Sequence, residues 1–271
     1  MSACSTAPKN TGEAYDLRRR AESQLELGNK RANHGDLGDA LIFLNEAWRL
    51  AVASDDPGLR VRAGLSRSNV LFSLGQVDEA AAGWNGALAE AVQMGNQELI
   101  AVCRIHISRG RLLSPQGRSQ AQSVRDDVTR DMAQIRSERQ YVALAWTVIG
   151  LAERELGRYA QAETALRRSL DIHEKDRNLD LAAYDWFLIA SCRSLSGDYG
   201  RARQALEAAM DFDRRVENSW GLANDWRAMG DVQTRAGNRD SARAAYTRAA
   251  EIYRALGLDD AAAQALSRID G

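Results

Sequence analysis

The chain has 271 residues, 45% of them hydrophobic, and its 36 Lys and Arg residues are balanced by 37 Asp and Glu residues. The resulting formal net charge of −1 argues against a general binder of nucleic acid, because such proteins carry an excess of positive charge. No apolar run reaches the roughly 18 residues that a membrane-spanning helix needs, so we predict no such helix.

Residues 1–13 are small and polar, and we predict that they form a flexible tether. Ser2, Ala3 and Cys4 match the last three positions of the bacterial lipobox Leu-Ser-Ala-Cys, which is cut before its cysteine. This resemblance implies a lipid on Cys4 that anchors the protein to a membrane in the periplasm. No apolar signal run precedes the motif in the printed sequence, so a cytoplasmic protein with a chance cysteine remains the alternative.

From residue 14 onward one phrase recurs about every 40 residues. A glycine is followed five residues later by a small residue and, four residues after that, by Leu or an aromatic residue. The glycines are Gly35, Gly75, Gly117, Gly157, Gly197 and Gly237. Six copies of one period indicate a stacked-repeat protein. The predicted repeats cover about 14–54, 55–95, 96–137, 138–177, 178–217 and 218–257.

Each copy is predicted to form two helices, because large and small residues recur at spacings of three and four. The glycine suits the position just past the end of the first helix, where a positive φ is needed. Asp36, Asp198 and Asn238 then precede second helices that they can cap, and Asp56-Pro57 suits a helix start. We predict a single all-α domain over 14–271.

Tryptophans in three copies point to a family. Copy four carries Trp146, Ile149, Gly150, Gly157, Tyr159, Ala162 and Leu166, and copies five and six match it with Trp186 and Trp226 in the first place. This pattern resembles that of the tetratricopeptide-repeat family. The resemblance implies a right-handed α-solenoid of six helix-turn-helix repeats, with residues 258–270 as a C-terminal capping helix and a concave groove that binds peptides.

Two departures from the family pattern stand out. The period is 40 residues rather than about 34, so each helix is predicted to be longer by about half to one turn. Copy three is degenerate, since Pro115 stands where its first helix should end and Gln122 stands where a small residue belongs. We expect a local break in the stacking there.

The groove implied by the resemblance is lined by one stripe of each first helix. When the Trp-like residue counts as position 4, the stripe holds positions 2, 5, 9 and 12, about 130° from the packed face. The predicted binding residues are Asn29, Asn33, Arg62, Asn69, Phe72, Arg104, Arg111, Tyr184, Phe187 and Arg227. Leu25, Leu65 and Ile107 share the stripe and are expected to be exposed there.

The chemistry of these residues suits an extended peptide. An Asn amide both donates and accepts, so Asn29 and Asn69 can clamp a peptide backbone. Arg62, Arg104 and Arg111 can hold carboxylates in two-pronged fashion. The family's carboxylate clamp uses Lys or Arg at position 5 of its first repeat, where this chain has Leu25. A strict receptor for C-terminal carboxylates is therefore not predicted, and polar residues that merely face water remain the alternative.

The chain shows no constellation typical of an enzyme. Its three Cys and three His residues have no metal-ligand spacing, and no nucleophile–base set or phosphate-binding loop accompanies its carboxylate pairs. We therefore predict no catalytic residue, metal or cofactor. The predicted function is an adaptor or scaffold that binds a protein or peptide. A small-molecule or lipid carrier of the periplasm, a cytoplasmic peptide-sensing regulator and self-association remain open.

Overall fold

The structure is a computed structural model that describes residues 12–269. Within that range the chain forms thirteen α-helices and no β-strand. The helices are α1 (Glu13–Asn33), α2 (Leu37–Ala53), α3 (Pro57–Ser73), α4 (Val77–Gln93), α5 (Gln97–Leu113), α6 (Gly117–Met132), α7 (Arg139–Glu155), α8 (Tyr159–Lys175), α9 (Leu179–Leu195), α10 (Tyr199–Arg215), α11 (Ser219–Arg235), α12 (Arg239–Ala255) and α13 (Asp259–Ser267). The prediction of an all-α fold of helix-turn-helix repeats followed by a closing helix is confirmed.

Helix length accounts for the long period. Helices α7 to α12 each have 17 residues, and so do α2 to α5. Two such helices and two connections of three residues make the 40-residue repeat. At 3.6 residues per turn, each helix therefore has between four and five turns.

The described residues form two compact units. The first holds the described part of 1–32 together with 36–106, and the second holds 33–35 together with the described part of 107–271. In the first unit α3 packs against α2 and α4. In the second unit consecutive helices from α6 to α13 pack against one another.

Each turn between consecutive helices, except those of copy three, contains one residue with a left-handed backbone conformation. Inside five repeats the predicted glycine has a φ between +74° and +85°, as expected for a residue just past a helix end. These residues are Gly35, Gly75, Gly157, Gly197 and Gly237. The connections between repeats use the same conformation at Asp55, Gly95, Arg177, Glu217 and Gly257. Three residues with side chains thus occupy a region that favours glycine.

The third copy turns differently, and the prediction for Gly117 is wrong. Counting 40 residues from Gly75 leads to Pro115, whose ring holds φ negative, so this turn cannot use the left-handed conformation. Gly117 is instead the first residue of α6 and is buried. A Cβ there would collide with the carbonyl of Leu112.

The predicted helix caps are partly confirmed. Asp56 Oδ1 accepts a hydrogen bond from Leu59 N at 2.9 Å, and Pro57 opens α3. Asp36 and Asp198 likewise cap α2 and α10. Asn238 does not cap α12, because its Nδ2 donates to Gln233 Oε1 at 2.9 Å instead.

Small residues let the two helices of a repeat approach closely. A Cβ at Gly28 would lie 2.6 Å from Leu44 Cγ, and one at Gly150 would lie 2.6 Å from Leu166 Cγ. No side chain fits at either place unless the facing leucine moves.

The tryptophans pack at the edge of the core. Trp226 packs against a buried cluster that includes Tyr253 of α12 and Ala262 of α13. The guanidinium of Arg168 lies 4.4 Å from the ring centroid of Trp146, close enough for a cation–π interaction. Cys103 and Cys192 are buried, and burial raises the pKa of their thiols to about 12 and about 11.

Candidate functional site

The predicted binding residues all lie on first helices, and each unit carries its own part. Asn29 lies on α1, Arg62, Asn69 and Phe72 lie on α3, and Arg104 lies on α5. In the second unit Arg111 lies on α5, Tyr184 and Phe187 on α9, and Arg227 on α11. Asn33 ends α1 and groups with the second unit. Cys4 lies outside the described residues. We call this set the first-helix stripe.

Asn69 is held in one orientation by two partners. Its Oδ1 accepts from Trp84 Nε1 at 3.1 Å, and its Nδ2 lies 3.2 Å from His106 Nδ1. An indole N–H only donates, so the amide oxygen must face Trp84 and the amide nitrogen must face His106. The His106 ring therefore accepts at Nδ1. One N–H and one lone pair of the amide remain for a further partner.

The other stripe residues of the first unit are an aromatic residue, two arginines and a second asparagine. The Phe72 ring lies 5.6 Å from the Trp84 ring and is tilted by 41°. Arg62 Nη2 lies 3.7 Å from Glu22 Oε1, and both groups are partly exposed, so this pairing is weak. Asn29 and Arg104 are exposed.

The expectation that Leu25 and Leu65 are exposed is wrong. Both are buried, and Leu25 belongs to a core cluster with Leu59 and Ala63 of α3. Position 5 of copy one therefore faces the neighbouring repeat, and position 5 of copy two is buried as well.

Arg111 donates three hydrogen bonds within the chain. Its Nε donates to Gln120 Oε1 at 2.9 Å, its Nη1 to Asp127 Oδ2 at 3.3 Å and its Nη2 to Ser123 Oγ at 3.2 Å. The three acceptors lie on α6, so this guanidinium joins the two helices of copy three. One N–H on each of Nη1 and Nη2 remains outside these three bonds.

The second unit carries an aromatic pair on α9 and a cation on α11. Tyr184 is exposed, and its ring stacks on that of Phe187 with 6.4 Å between centroids. Arg227 Nη2 donates to Asn224 Oδ1 at 3.3 Å, and Tyr253 donates to the same oxygen at 2.8 Å. Among residues 12–269, Arg227 has no carboxylate partner within salt-bridge distance. It therefore offers an uncompensated charge.

Two buried polar clusters underlie the stripe in the second unit. In the first cluster, His173 Nδ1 lies 2.7 Å from Asp185 Oδ2, and Ser169 Oγ lies 3.4 Å from the same ring nitrogen. Thr147 Oγ1 lies 2.9 Å from Ser169 Oγ and donates to Asp185 Oδ1 at 3.4 Å. Burial raises the pKa of Asp185, although the bonds from His173 oppose the shift.

The second cluster is a carboxyl pair. Asp213 and Asp225 are both buried and hydrogen-bonded to each other, and Asn218 Nδ2 donates to Asp213 Oδ1 at 2.9 Å. Burial raises the pKa of Asp225 to about 9 and that of Asp213 to about 6. Asp225 Oδ2 is buried with no hydrogen-bond partner. The pair thus holds at least one proton at neutral pH.

The His173 cluster does not have the arrangement of a Ser-His-Asp triad. In a Ser-His-Asp triad the serine and the aspartate face opposite ring nitrogens, whereas Ser169 and Asp185 both face His173 Nδ1. In the part of the chain that the structure describes, no three His, Cys, Asp or Glu side chains are grouped to hold a metal ion. None of the described helices has the length and apolar content to cross a bilayer.

Comparison with known proteins agrees with the repeat geometry. The family profile described as tetratricopeptide repeat matches residues 141–215 and again 180–255. These two windows are offset by about one repeat and cover α7 to α12. This part of the chain, residues 141–255, belongs to the tetratricopeptide-repeat family. No curated protein sequence matches it.

Solved structures share the tetratricopeptide-repeat fold at low identity. A Rap protein complexed with Competence and Sporulation Factor has a TM-score of 0.62 and 15% identity, over 97% of this chain and 76% of its own. BtubC from P. vanneervenii has a TM-score of 0.58 and 14% identity, over 91% and 93%. Aspartyl phosphate phosphatase F from Bacillus subtilis has a TM-score of 0.53 and 13% identity, over 95% and 69%.

The buried clusters were not predicted from the sequence, although a signal for them was present. Asp185 and Asp225 are 40 residues apart, and each directly precedes a tryptophan of the repeat pattern. His173 and Asp213 are also 40 residues apart. Titratable residues that recur in register on the packed side of both helices indicate a polar contact between repeats.

Proposed function

We propose that this chain is a non-catalytic adaptor that binds extended segments of another protein through the first-helix residues that each unit carries. The observation that carries the proposal is the Asn69 amide. Trp84 and His106 fix its orientation and leave one donor and one acceptor unused. A fixed amide with both functions suits the alternating N–H and C=O groups of an extended backbone. In support, the Rap neighbour was solved with Competence and Sporulation Factor bound.

The second unit supplies the side-chain preference in this proposal. Tyr184 and Phe187 offer an exposed aromatic surface, and Arg227 offers a cation that no carboxylate neutralises. Such a surface suits an apolar side chain followed by an acidic one. Arg111 is not assigned this preference, because three of its N–H groups already donate to α6.

Site-specific photo-crosslinking in the native cell tests the adaptor role. A photoreactive residue is placed at Phe72 or Tyr184, and a matched residue is placed at exposed Arg203 on α10 as the control. We expect one protein partner to be captured from both first-helix positions and not from Arg203. Loss of that capture in Asn69→Ala, with unchanged helicity and melting, assigns recognition to the amide. Capture only at Arg203, or of a small molecule or lipid alone, contradicts the proposal.

We also propose that Cys4 carries a lipid and anchors the adaptor in the periplasm. The motif Ser2-Ala3-Cys4 supports this proposal. The test compares the natural protein with Cys4→Ser in membrane fractions and measures the mass of the N-terminal fragment. A diacylated cysteine that disappears in Cys4→Ser is the expected result. An unmodified cysteine in a cytoplasmic fraction rejects the anchor and leaves the adaptor proposal untouched.

A further inference from the structure

Within the second unit, residues 33–35 lie on the amino-terminal ends of two first helices. His34 Nε2 lies 3.3 Å from Oδ1 of Asp180, the second residue of α9, and both side chains are mostly buried. The ring of Trp220, the second residue of α11, packs against Gly35 so closely that a Cβ on this glycine would lie 2.5 Å from Trp220 Cγ. One polar contact and one aromatic contact therefore seat this turn on α9 and α11.

The turn itself does not require these contacts. In the other copies with a left-handed turn glycine, the residue before the glycine carries no imidazole: it is Leu74, Leu156, Ser196 or Ala236. The φ of Gly35, +78°, is matched by +79° at Gly75, where an added Cβ would meet nothing within 4 Å. At Gly35, in contrast, the missing side chain also admits the Trp220 ring. His34 and the bare surface of Gly35 thus serve the contact with α9 and α11.

The residues that hold the turn lie on the same helix faces as the second-unit part of the first-helix stripe. On α9, Asp180 precedes Tyr184 by four residues, which places the two within about 40° of each other around the helix. On α11, Trp220 precedes Arg227 by seven residues, which places them within about 20°. The turn thus occupies the amino-terminal end of the stripe on both helices.

The short distance along each helix makes the turn an obstacle to a ligand on this part of the stripe. At 1.5 Å per residue, Asp180 lies about 6 Å along α9 from Tyr184, and Trp220 lies about 10 Å along α11 from Arg227. Two chain segments with side chains between them need about 10 Å, which is the distance between packed sheets. A protein segment that lies across Tyr184 therefore meets the turn unless the turn moves away.

From these contacts we propose that residues 33–35 form an autoinhibitory latch on the second-unit part of the stripe. A protein segment reaches Tyr184 and Arg227 only when the turn leaves α9 and α11. This regulation rests on the proposed adaptor function. Asn33, which was predicted to bind the ligand, belongs in this proposal to the segment that occupies the site in the absence of a ligand.

The latch is weak enough to open. It has one contact between His34 and Asp180 and one ring packed on a glycine, and a single pairing of partly exposed groups contributes little to stability. When a site is covered for part of the time, the apparent affinity of its ligand falls by the uncovered fraction. We therefore expect the loss of either contact to raise ligand capture about two- to tenfold.

Gly35→Ala and Gly75→Ala form a matched pair that tests the latch. Both substitutions strain a left-handed turn to the same extent, but only Gly35→Ala drives a Cβ into the Trp220 ring. With a photoreactive residue at Tyr184 in the native cell, we expect about two- to tenfold more protein capture in Gly35→Ala than in Gly75→Ala. His34→Ala should also raise capture, and it should fold because Ala236 stands at the equivalent place in copy six.

Fluorine NMR of the full chain labelled with fluorotryptophan measures the latch without a partner. Trp220→Phe assigns the Trp220 resonance among those of the six tryptophans. In Gly35→Ala and His34→Ala we expect this resonance to move toward that of free fluorotryptophan and to respond more strongly to exchange of H2O for D2O. In Gly75→Ala it should keep its position.

The two measurements separate the latch from the adaptor proposal. An unchanged Trp220 resonance in Gly35→Ala, or equal capture from Tyr184 in Gly35→Ala and Gly75→Ala, overturns the latch and leaves the adaptor proposal standing. Absence of protein capture in every variant contradicts the adaptor proposal, and the Trp220 resonance then decides alone whether the turn covers α9 and α11.

Discussion

Asp225→Asn is expected to stabilise the protein at neutral and alkaline pH. Asp225 is only 2% exposed, it hydrogen-bonds to Asp213, and its Oδ2 has no partner. An asparagine amide donates to Asp213 as the protonated carboxyl does, so the variant keeps the bond. The variant removes the need to hold a proton on a buried carboxyl.

The pKa of Asp225 sets the magnitude and the sign of this effect on stability. Burial and the facing carboxylate raise the pKa of Asp225 from 3.8 to about 9 in the folded state. The folded state therefore binds this proton more tightly, and the free energy of unfolding falls as pH rises from about 4 to about 9. At pH 7 the raised pKa of Asp225 lowers the free energy of unfolding by at most about 4 kcal/mol, since each pKa unit is worth about 1.4 kcal/mol. Because Asp213 shares the proton, we expect Asp225→Asn to recover about 2–4 kcal/mol.

Urea denaturation followed by circular dichroism measures this effect at about pH 5 and about pH 8. We expect a large gain at the higher pH and little gain at the lower one. Asp211→Asn on α10 is the control, because Asp211 is exposed and pairs only with Arg214 on the same helix. Equal effects of Asp225→Asn at both pH values, or a loss at about pH 8, would refute the reasoning.

Three further changes probe packing, turns and the His173 cluster. Gly150→Ala should lower the free energy of unfolding by about 1–3 kcal/mol, because its Cβ would lie 2.6 Å from the facing helix; Gly200→Ala, whose Cβ meets nothing nearer than 4.0 Å, should not. Glu217→Gly should raise the free energy of unfolding by up to about 1 kcal/mol, because φ is +58° at this position; an unchanged urea midpoint would show that the backbone is not strained there. Asp185→Ala should lower the melting temperature by an amount equivalent to about 2–4 kcal/mol, because it leaves His173 buried without its acceptor; a surface-like effect would argue against the cluster.

The sequence predicts this structure well for residues whose conformation depends only on neighbours within their own repeat. Turn glycines such as Gly157 and the cap at Asp56 follow local rules, and both were predicted correctly. The prediction that Gly117 forms the turn of copy three was wrong, because the nearest glycine was taken as the equivalent of Gly75. The true register position is Pro115, which cannot adopt the required φ.

Contacts between repeats were harder to predict. Leu25 was placed on the stripe by periodicity, but it is buried against Leu59 and Ala63 of the next repeat. Asn69 was expected to face only ligand, and its partners Trp84 and His106 lie 15 and 37 residues further along the chain. Arg111 was expected to hold a ligand carboxylate, and the degenerate second helix of its own copy engages it. Side-chain reach across helices decided each case, and helical periodicity carries no information about that reach.

The buried clusters and the proposed binding surface are linked through helix geometry. Asp185 and Phe187 are two residues apart on α9, and Asp225 and Arg227 are two residues apart on α11. On a rigid helix, the hydrogen bond that positions one member of each pair also positions the other. A leucine at 225 would relieve the same proton cost as an asparagine but would remove the bond to Asp213. We therefore expect Asp225→Leu and Asp225→Asn to be similarly stable at about pH 8, whereas only Asp225→Asn should retain full photo-crosslinking from Tyr184. Equal crosslinking by the two variants would show that apolar packing alone positions the stripe.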